Sequence, residues 1–216
     1  MKPKKNLKVF VTTAMLAAVA GVLMSLEVSV PLMPPFYKLD FSDVPTLIGL
    51  FAYGPWSALA IEVLKIVIKL FTVGTNSAYV GELANLIGAF LFIFPIWWVY
   101  RGLKQTRTAG KVALCVSVPI RVAVSCAINA FITLPLYAKA TGMDMNTLVR
   151  AVAGVNPSIT DLRTFIVLAT VPFNLLKDGL NAVIGYLLYA TLEKVHVFEK
   201  KPAPKAGSLD WEAERK

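Results

Sequence analysis

The chain has 216 residues, of which 56% are hydrophobic and only 16% are charged. This composition, with a mean hydropathy of +0.65, excludes an ordinary soluble domain and indicates a polytopic membrane protein. The net charge of +9 does not indicate nucleic-acid binding, because the cations lie in short clusters between apolar segments and not on one basic face.

The sequence carries no motif that would supply energy or chemistry by itself. It contains neither the nucleotide-binding motif GxxxxGK[ST] nor a cluster of metal ligands, and His196 is its only histidine. Cys115 and Cys126 are about 16 Å apart along a helix, too far for a disulfide. We therefore expect no enzymatic activity, no metal and no cofactor, and uphill transport would need an ion gradient or partner subunits.

The first apolar segment runs from Val9 to about Val30, after a basic tail at residues 1–8. A secretory signal peptide also begins with basic residues, and Ala18-Val19-Ala20 is similar to a cleavage site. The apolar run continues for about ten more residues, so we interpret it as a transmembrane span. It contains small residues spaced four apart, which permit close approach of a helix from inside the bundle or from a partner. They are Ala14, Ala17, Ala18 and Gly21.

Residues 31–42 contain three prolines and three aromatic residues, which predict a loop folded back over the bundle. Ser42 or Asp43 is expected to cap the helix that follows, with Pro45 tolerated in its first turn. Gly54-Pro55 breaks the next apolar stretch, 44–70, into two helices that form a hairpin.

The second arm of this hairpin carries three charged residues at positions i, i+3 and i+7, namely Glu62, Lys65 and Lys69. This spacing favours pairs within one helix, with Lys69 snorkelling toward the membrane surface. We interpret the set as structural.

Three further apolar segments, 80–100, 111–137 and 165–192, bring the count to six spans, and Pro135 is expected to close the fifth. Polar outer loops are predicted at 74–79 and 139–163. The tails and inner loop carry fourteen Lys and Arg residues, whereas the outer loops carry four, so both termini are predicted to be cytoplasmic. The sequence predicts an all-α integral membrane protein with a single six-helix bundle at 9–194 and a mobile tail at 195–216.

The last span carries a polar stripe at i, i+3, i+4 and i+7, formed by Asn174, Lys177, Asp178 and Asn181. A charged residue at the centre of a spanning helix costs about 2.5 to 3.5 kcal/mol, so such a stripe faces a partner, a cavity or a substrate path. It is either a tie to a neighbouring helix, through Lys177 and Asp178 or the asparagines, or part of a ligand site.

Polar residues from two other spans are expected at the same depth. Glu82 and Asn85 lie near the outer end of the fourth span, and Asn129 shares a face of the fifth with Arg121. Polar groups from three helices at one level indicate a cavity open to the outside. Asparagine offers a donor and an acceptor on one amide, whereas lysine offers only donors, so the set suits a flat heterocycle with an imide-like edge.

Five stretches resemble the riboflavin-binding S component of bacterial energy-coupling factor (ECF) vitamin transporters. They are KLDFSDVP at 38–45, GELAN at 81–85, Arg121 with Asn129, PLY at 135–137 and PFNLLK at 172–177. The resemblance implies six helices in a bacterial cell membrane that hold one vitamin near the outer face. It also implies a transmembrane coupling subunit and two ATPase subunits as partners.

The resemblance assigns roles to particular residues. Asn129, Asn174 and Lys177 would bind the edge of the flavin ring, and the loop with Phe36, Leu39 and Asp40 would help to enclose it. We add Glu82, Asn85 and Asn181 to the predicted binding set. Ala14 and Ala18 would contact the coupling subunit. Riboflavin would then be a transported ligand and not a cofactor.

Two alternatives remain. In a self-sufficient ion-coupled transporter, Glu82 or Lys177 would bind and release the coupling proton. An intramembrane enzyme is disfavoured, because the sequence shows neither a nucleophile with its base nor a metal cluster.

Overall fold

The structure is a computed structural model that describes residues 3–31, 37–75, 79–142, 144, 147, 149–150, 153–154 and 156–195. The predicted lid residue Phe36 and nearly all of the predicted tail, 196–216, lie outside the described residues.

Helices make up most of the described chain. The first four are α1 (Pro3–Ser25), α2 (Asp43–Tyr53), α3 (Pro55–Thr72) and α4 (Val80–Gly102). Helix α5 (Arg107–Ile128) continues through a π-helical turn (Asn129–Thr133) into α6 (Leu134–Thr141). Helix α7 (Leu162–Phe165) continues through a second π-helical turn (Ile166–Thr170) into α8 (Val171–Lys194).

Four helical stretches among the described residues are long and apolar enough to cross a membrane, namely 7–25, 80–102, 107–139 and 162–194. Helix α2 has only 11 residues, and α3 carries three buried charged side chains. The chain is therefore an all-helical, multi-pass membrane protein. The count of six spans and the cytoplasmic position of both termini stay predictions.

The predicted break at Gly54-Pro55 is confirmed. Gly54 has a φ of +100°, a conformation that favours glycine, and a Cβ there would lie 3.4 Å from the Trp97 ring. Pro55 begins α3, where its missing N–H costs no helical hydrogen bond. The predicted cap of α2 is wrong, because the Ser42 hydroxyl and N–H both donate to Asp40 and the Asp43 carboxylate accepts from Lys65 and Arg121.

The first span is shifted relative to its prediction. Helix α1 begins at Pro3, inside the stretch predicted as a tail, and ends at Ser25. The residues that follow form a strand, β1 (Val28–Ser29), which pairs antiparallel with β2 (Lys38–Leu39). This strand pair connects α1 to α2 and brings the residues after β2 onto the bundle.

Pro135 does not close its helix as predicted. It lies in the first turn of α6, directly after the π-helical turn, where Leu134 N–H bonds to Asn129 O. The wider turn shifts the hydrogen-bond pattern before the proline, so the helix continues despite the missing N–H.

The helices pack around an apolar core centred on Phe51 of α2. The Phe51 ring contacts Tyr100, Tyr186 and Tyr189, with ring centroids 5.0, 6.0 and 5.2 Å apart. A smaller apolar cluster lies farther toward the start of α8, around Tyr37 and Phe173, and the connection predicted as a polar outer loop contributes Ile159 to it. Between the two, along α8, come the buried polar residues Asp178 and Asn181.

The small residues of α1 face two directions. Ala17 and Ala20 are buried, and a Cβ on Gly21 would lie 2.6 Å from Ile68 of α3, so this face serves internal packing. Ala14 and Ala18 lie on the exposed side of the helix. Internal packing therefore explains one face of the small-residue pattern, and a partner at the exposed face stays a prediction.

Candidate functional site

A cavity lies between the loop after β2 and helices α3, α4, α5 and α8. Its polar lining consists of Glu27, Lys38, Asp40, Lys69, Glu82, Asn85, Arg121, Ser125, Asn129, Thr133, Asn174, Lys177 and Asp178. Its apolar lining includes Met24, Tyr37, Ile128 and Phe173. Of the residues predicted to bind a ligand, the two that are described but do not line the cavity are Leu39 and Asn181.

Asn174 and Lys177 lie one turn apart on α8, next to each other on the cavity wall. Asn174 Nδ2 donates to Thr170 O at 2.8 Å, which orients the amide. Its Oδ1 has no hydrogen bond within the described part of the chain. Lys177 Nζ donates to Asp40 Oδ2 at 2.7 Å, which leaves two of its three N–H groups for other acceptors. The pair therefore presents one acceptor and one donor side by side.

Asn129 enters the cavity from the π-helical turn after α5. Its Nδ2 donates to Ser125 O at 2.8 Å, and its Oδ1 accepts from the Tyr37 hydroxyl at 3.3 Å. The same hydroxyl lies 2.7 Å from Thr170 Oγ1, at the end of the other π-helical turn. Burial raises the pKa of the Tyr37 phenol above its usual value, so it stays neutral and joins the two turns. π-Helical turns inside α-helices occur frequently at functional sites.

The Tyr37 ring also stacks on Phe173, with the centroids 4.6 Å apart and the planes 8° from parallel. Both rings line the cavity. They place stacked aromatic rings in the wall of the cavity that also carries Asn129 and Asn174.

Asp40 anchors the loop after β2 to α8. Its carboxylate accepts from Lys177, and its backbone carbonyl accepts from Asn181 Nδ2 at 3.0 Å. Burial opposes ionisation, but the charges of Lys177 and Lys65 hold the pKa of the Asp40 carboxyl below its usual range. Asn181 is fully buried beneath this loop, so it positions Asp40 and does not line the cavity.

The rim of the cavity carries a second set of ion pairs. Lys69 Nζ lies 3.2 Å from Glu82 and 3.4 Å from Glu27, and Glu27 also pairs with Lys38 at 2.5 Å. The prediction that Lys69 pairs within its helix or snorkels to the surface is wrong. Glu82 of α4 and Glu27 after α1 both lie close enough to pair with Lys69, so its ammonium group is neutralised without reaching the membrane surface.

Below the cavity lies a buried charged layer, formed by Asp43, Glu62, Lys65, Arg121 and Asp178. Lys65 donates to Asp43 at 2.5 Å and to Glu62 at 2.8 Å. Arg121 donates to the other Asp43 oxygen at 2.8 Å, and its Nε lies 3.2 Å from Asp178. The pair of Glu62 and Lys65 within α3 is confirmed. The predicted tie of the polar stripe to a neighbouring helix is confirmed for Asp178, which pairs with Arg121 of α5, whereas Lys177 pairs with Asp40 in the loop after β2.

Sequence reasoning missed several residues of this region, among them Asp43 and Tyr37. Asp43 was interpreted as a helix cap, and Tyr37 as one of several loop aromatics. A signal was present for Asp43, because it is a second acidic residue close to Asp40 and later spans carry the cations Lys65 and Arg121. No sequence signal marks Tyr37 as the link between two π-helical turns.

Comparison with known proteins identifies the family. The family model described as the ECF transporter, substrate-specific component, matches residues 8–189. The riboflavin transporter RibU of Staphylococcus aureus (strain TCH60) is 30% identical over 86% of this chain and 90% of its own length. The riboflavin transporter FmnP of Bacillus subtilis (strain 168) is 30% identical over 89% of this chain and 94% of its own length.

A solved structure, that of the S component of a bacterial ECF transporter, also matches. It has a TM-score of 0.67 and 25% sequence identity, over 88% of this chain and 98% of that one. This chain therefore belongs to the family of substrate-specific components of ECF transporters.

Proposed function

We propose that this family member is the riboflavin-binding subunit of an ECF-type transporter in a bacterial cell membrane, which captures riboflavin from outside for ATP-driven import. The relatives named above are riboflavin transporters. The observation that carries the proposal is that Asn174 Oδ1 and two N–H groups of Lys177 lie side by side and have no partner among the described residues. An imide edge offers N–H and C=O side by side, which is the complement of this pair.

Other features of the cavity fit a flavin. The second N–H of Asn129 Nδ2 has no acceptor among the described residues and can donate to a ring carbonyl. The stacked rings of Tyr37 and Phe173 suit a flat aromatic ligand. Glu82 and Asn85 are proposed to bind the hydroxyl-bearing chain. Leu39 and Asn181 are proposed to support the loop after β2 and the residue Asp40.

The charges in the cavity favour a neutral ligand. Each cation that lines it already has a carboxylate partner: Lys38 with Glu27, Lys69 with Glu82, Arg121 with Asp178 and Lys177 with Asp40. A strongly charged ligand would have to displace one of these pairs, whereas the riboflavin ring and its hydroxyls carry no charge. The same pairs disfavour the ion-coupled alternative, because proton exchange at Glu82 or Lys177 would leave a buried partner uncompensated.

The binding test uses the chain purified in detergent and the quenching of riboflavin fluorescence. Asn174→Ala removes the acceptor and is expected to cost about 1 to 3 kcal/mol, a loss of roughly five- to 150-fold in affinity. Leu175→Ala is the matched control, since Leu175 follows on the same helix, is exposed and does not line the cavity. An unchanged Kd in a folded, monodisperse Asn174→Ala variant contradicts the proposed site.

Partner docking is proposed at the exposed face of α1, with Ala14 and Ala18 against the transmembrane coupling subunit of a module that also holds two ATPases. Small residues allow the close backbone approach that such contacts need. Ala14→Leu with Ala18→Leu is expected to abolish uptake in cells while riboflavin still binds. Ala123→Leu, at an exposed alanine of α5, is the control. Loss of binding and uptake together in the double variant would assign the face to the bundle itself.

A further inference from the structure

A groove on the membrane-facing side of the protein lies between α5 and α8, apart from the riboflavin cavity. One end is formed by Lys111 and Leu187, and the other by Pro119 and Gly179. None of the described residues lines both the groove and the cavity. Helix α1 packs on α2 and α3, so the face proposed for the coupling subunit also lies elsewhere.

The groove forms because α5 and α8 are in close contact at one end, whereas at the other end α8 has a glycine in place of a larger side chain. At the close end, a Cβ on Gly110 would lie 2.7 Å from the Tyr186 ring, and the Tyr186 hydroxyl donates to Arg107 O at 2.7 Å. At the far end, a Cβ on Gly179 would meet no atom within 4 Å. Glycine inside a helix costs about 1 kcal/mol relative to alanine, so Gly179 keeps this space open at some cost in helix stability.

The length of the groove matches one leaflet of a bilayer. Lys111 and Pro119 are separated by about 12 Å along the helix axis, and half of a hydrocarbon core is about 15 Å. The lining is apolar except for Lys111 and the Tyr186 hydroxyl, which is already bonded. An acyl chain that starts at Lys111 would therefore stay in apolar surroundings over most of a leaflet.

The polar end of the groove is positively charged. Lys111 takes part in none of the salt bridges among the described residues, whereas Arg107, one turn earlier, is paired with Glu193 at 3.2 Å. Arg101 and Lys104 add charge in the preceding turns. Each Lys or Arg near a membrane surface attracts anionic lipid by about 1 kcal/mol. A zwitterionic headgroup gains less, because it carries its own cation.

We propose that this groove is a binding site for one anionic phospholipid, with an acyl chain along α5 and α8 and the phosphate at Lys111. The lipid occupies a face that neither riboflavin nor the proposed coupling subunit uses, and it fills the space left by Gly179.

The test is native mass spectrometry of the detergent-purified chain, titrated with phosphatidylglycerol or phosphatidylcholine. The wild type is expected to retain one phosphatidylglycerol in preference to phosphatidylcholine. Lys111→Gln is expected to lower that preference by about fivefold. Gly179→Leu is expected to abolish it while riboflavin quenching persists.

Two control variants match these changes. Lys8→Gln removes an exposed cation from α1, and Gly102→Leu adds the same bulk at the end of α4, where a Cβ also meets nothing within 4 Å. Both are expected to keep the lipid preference. Equal retention of the two lipids by the wild type, or an unchanged preference in Gly179→Leu, overturns the proposal.

A second measurement does not depend on the folding of any variant. Cys115 lines the groove, so phosphatidylglycerol in the bilayer is expected to slow its reaction with a maleimide more than that of Cys126. Equal rates in phosphatidylglycerol and phosphatidylcholine overturn the proposal. If the wild type shows no lipid preference and Gly179→Leu loses uptake but not binding, the groove is a protein-docking face and the lipid site is rejected.

Discussion

The two ends of helix α2 are stabilised by opposite kinds of interaction. Around Phe51, near its C-terminal end, the apolar core packs aromatic and aliphatic side chains from five helices. Around Asp43, at its N-terminal end, the charged layer buries two cations and three carboxylates, each almost fully excluded from solvent. Apolar packing lowers the free energy of the fold wherever the shapes fit. Burying an ion costs several kcal/mol of desolvation free energy, and attraction to a partner ion offsets this cost only when the geometry is good.

The apolar core and the charged layer therefore contribute differently to stability and to ligand binding. The apolar core lies at the end of α2 away from the cavity, whereas Arg121 and Asp178 belong both to the charged layer and to the cavity lining. We interpret the charged layer as a rigid floor that holds the cavity residues in position. The apolar core then supplies most of the stability that allows this floor to be buried.

The largest expected effect comes from Asp43→Asn. The change leaves Lys65 and Arg121 buried with one carboxylate fewer, and it is expected to lower the free energy of unfolding by about 3 to 5 kcal/mol. Thermal unfolding in detergent measures the loss, and riboflavin affinity is expected to fall with it. Glu193→Gln is the control, because it breaks the partly exposed pair with Arg107, which is worth about 0 to 1 kcal/mol. Similar losses in the two variants would contradict a special role for the charged layer.

Leu50→Ala tests the other end of α2. Leu50 is fully buried in the apolar core, so its truncation is expected to cost about 2 to 5 kcal/mol in unfolding free energy. Below the new melting temperature, the Kd for riboflavin is expected to stay within about twofold of the wild type, since additivity holds for distant sites. A large loss of affinity at low temperature would show that the two regions are coupled.

Tyr37→Phe is expected to have the smallest effect. It keeps the ring that stacks on Phe173 but removes the hydroxyl that joins Asn129 to Thr170, a loss of about 0.5 to 1.5 kcal/mol. Riboflavin affinity is expected to fall by roughly two- to twelvefold, with little change in melting temperature. Thr164→Ser, in the capping box of α7, is the control. A normal affinity in Tyr37→Phe would show that the bridge does not position Asn129.

The sequence alone determined the class of protein, most helix positions and the family. Long apolar segments, cation clusters at their ends and the Gly54-Pro55 break are local features, and each follows from the properties of a few neighbouring residues. Six of the polar residues that line the cavity were also predicted to bind a ligand. Two of them, Asn174 and Lys177, were found because a polar stripe on an apolar helix is visible in the spacing of one segment.

Only the tertiary structure decided which charges meet. Lys177 bonds to Asp40 across 137 positions, and Arg121 bonds to Asp43 across 78. Periodicity shows which side of a helix a residue occupies, but not which helix lies against that side. The strand pair after α1, the two π-helical turns and the link through Tyr37 were missed for the same reason. Each is stabilised by contacts between segments far apart in the chain, and such contacts outweigh local preferences.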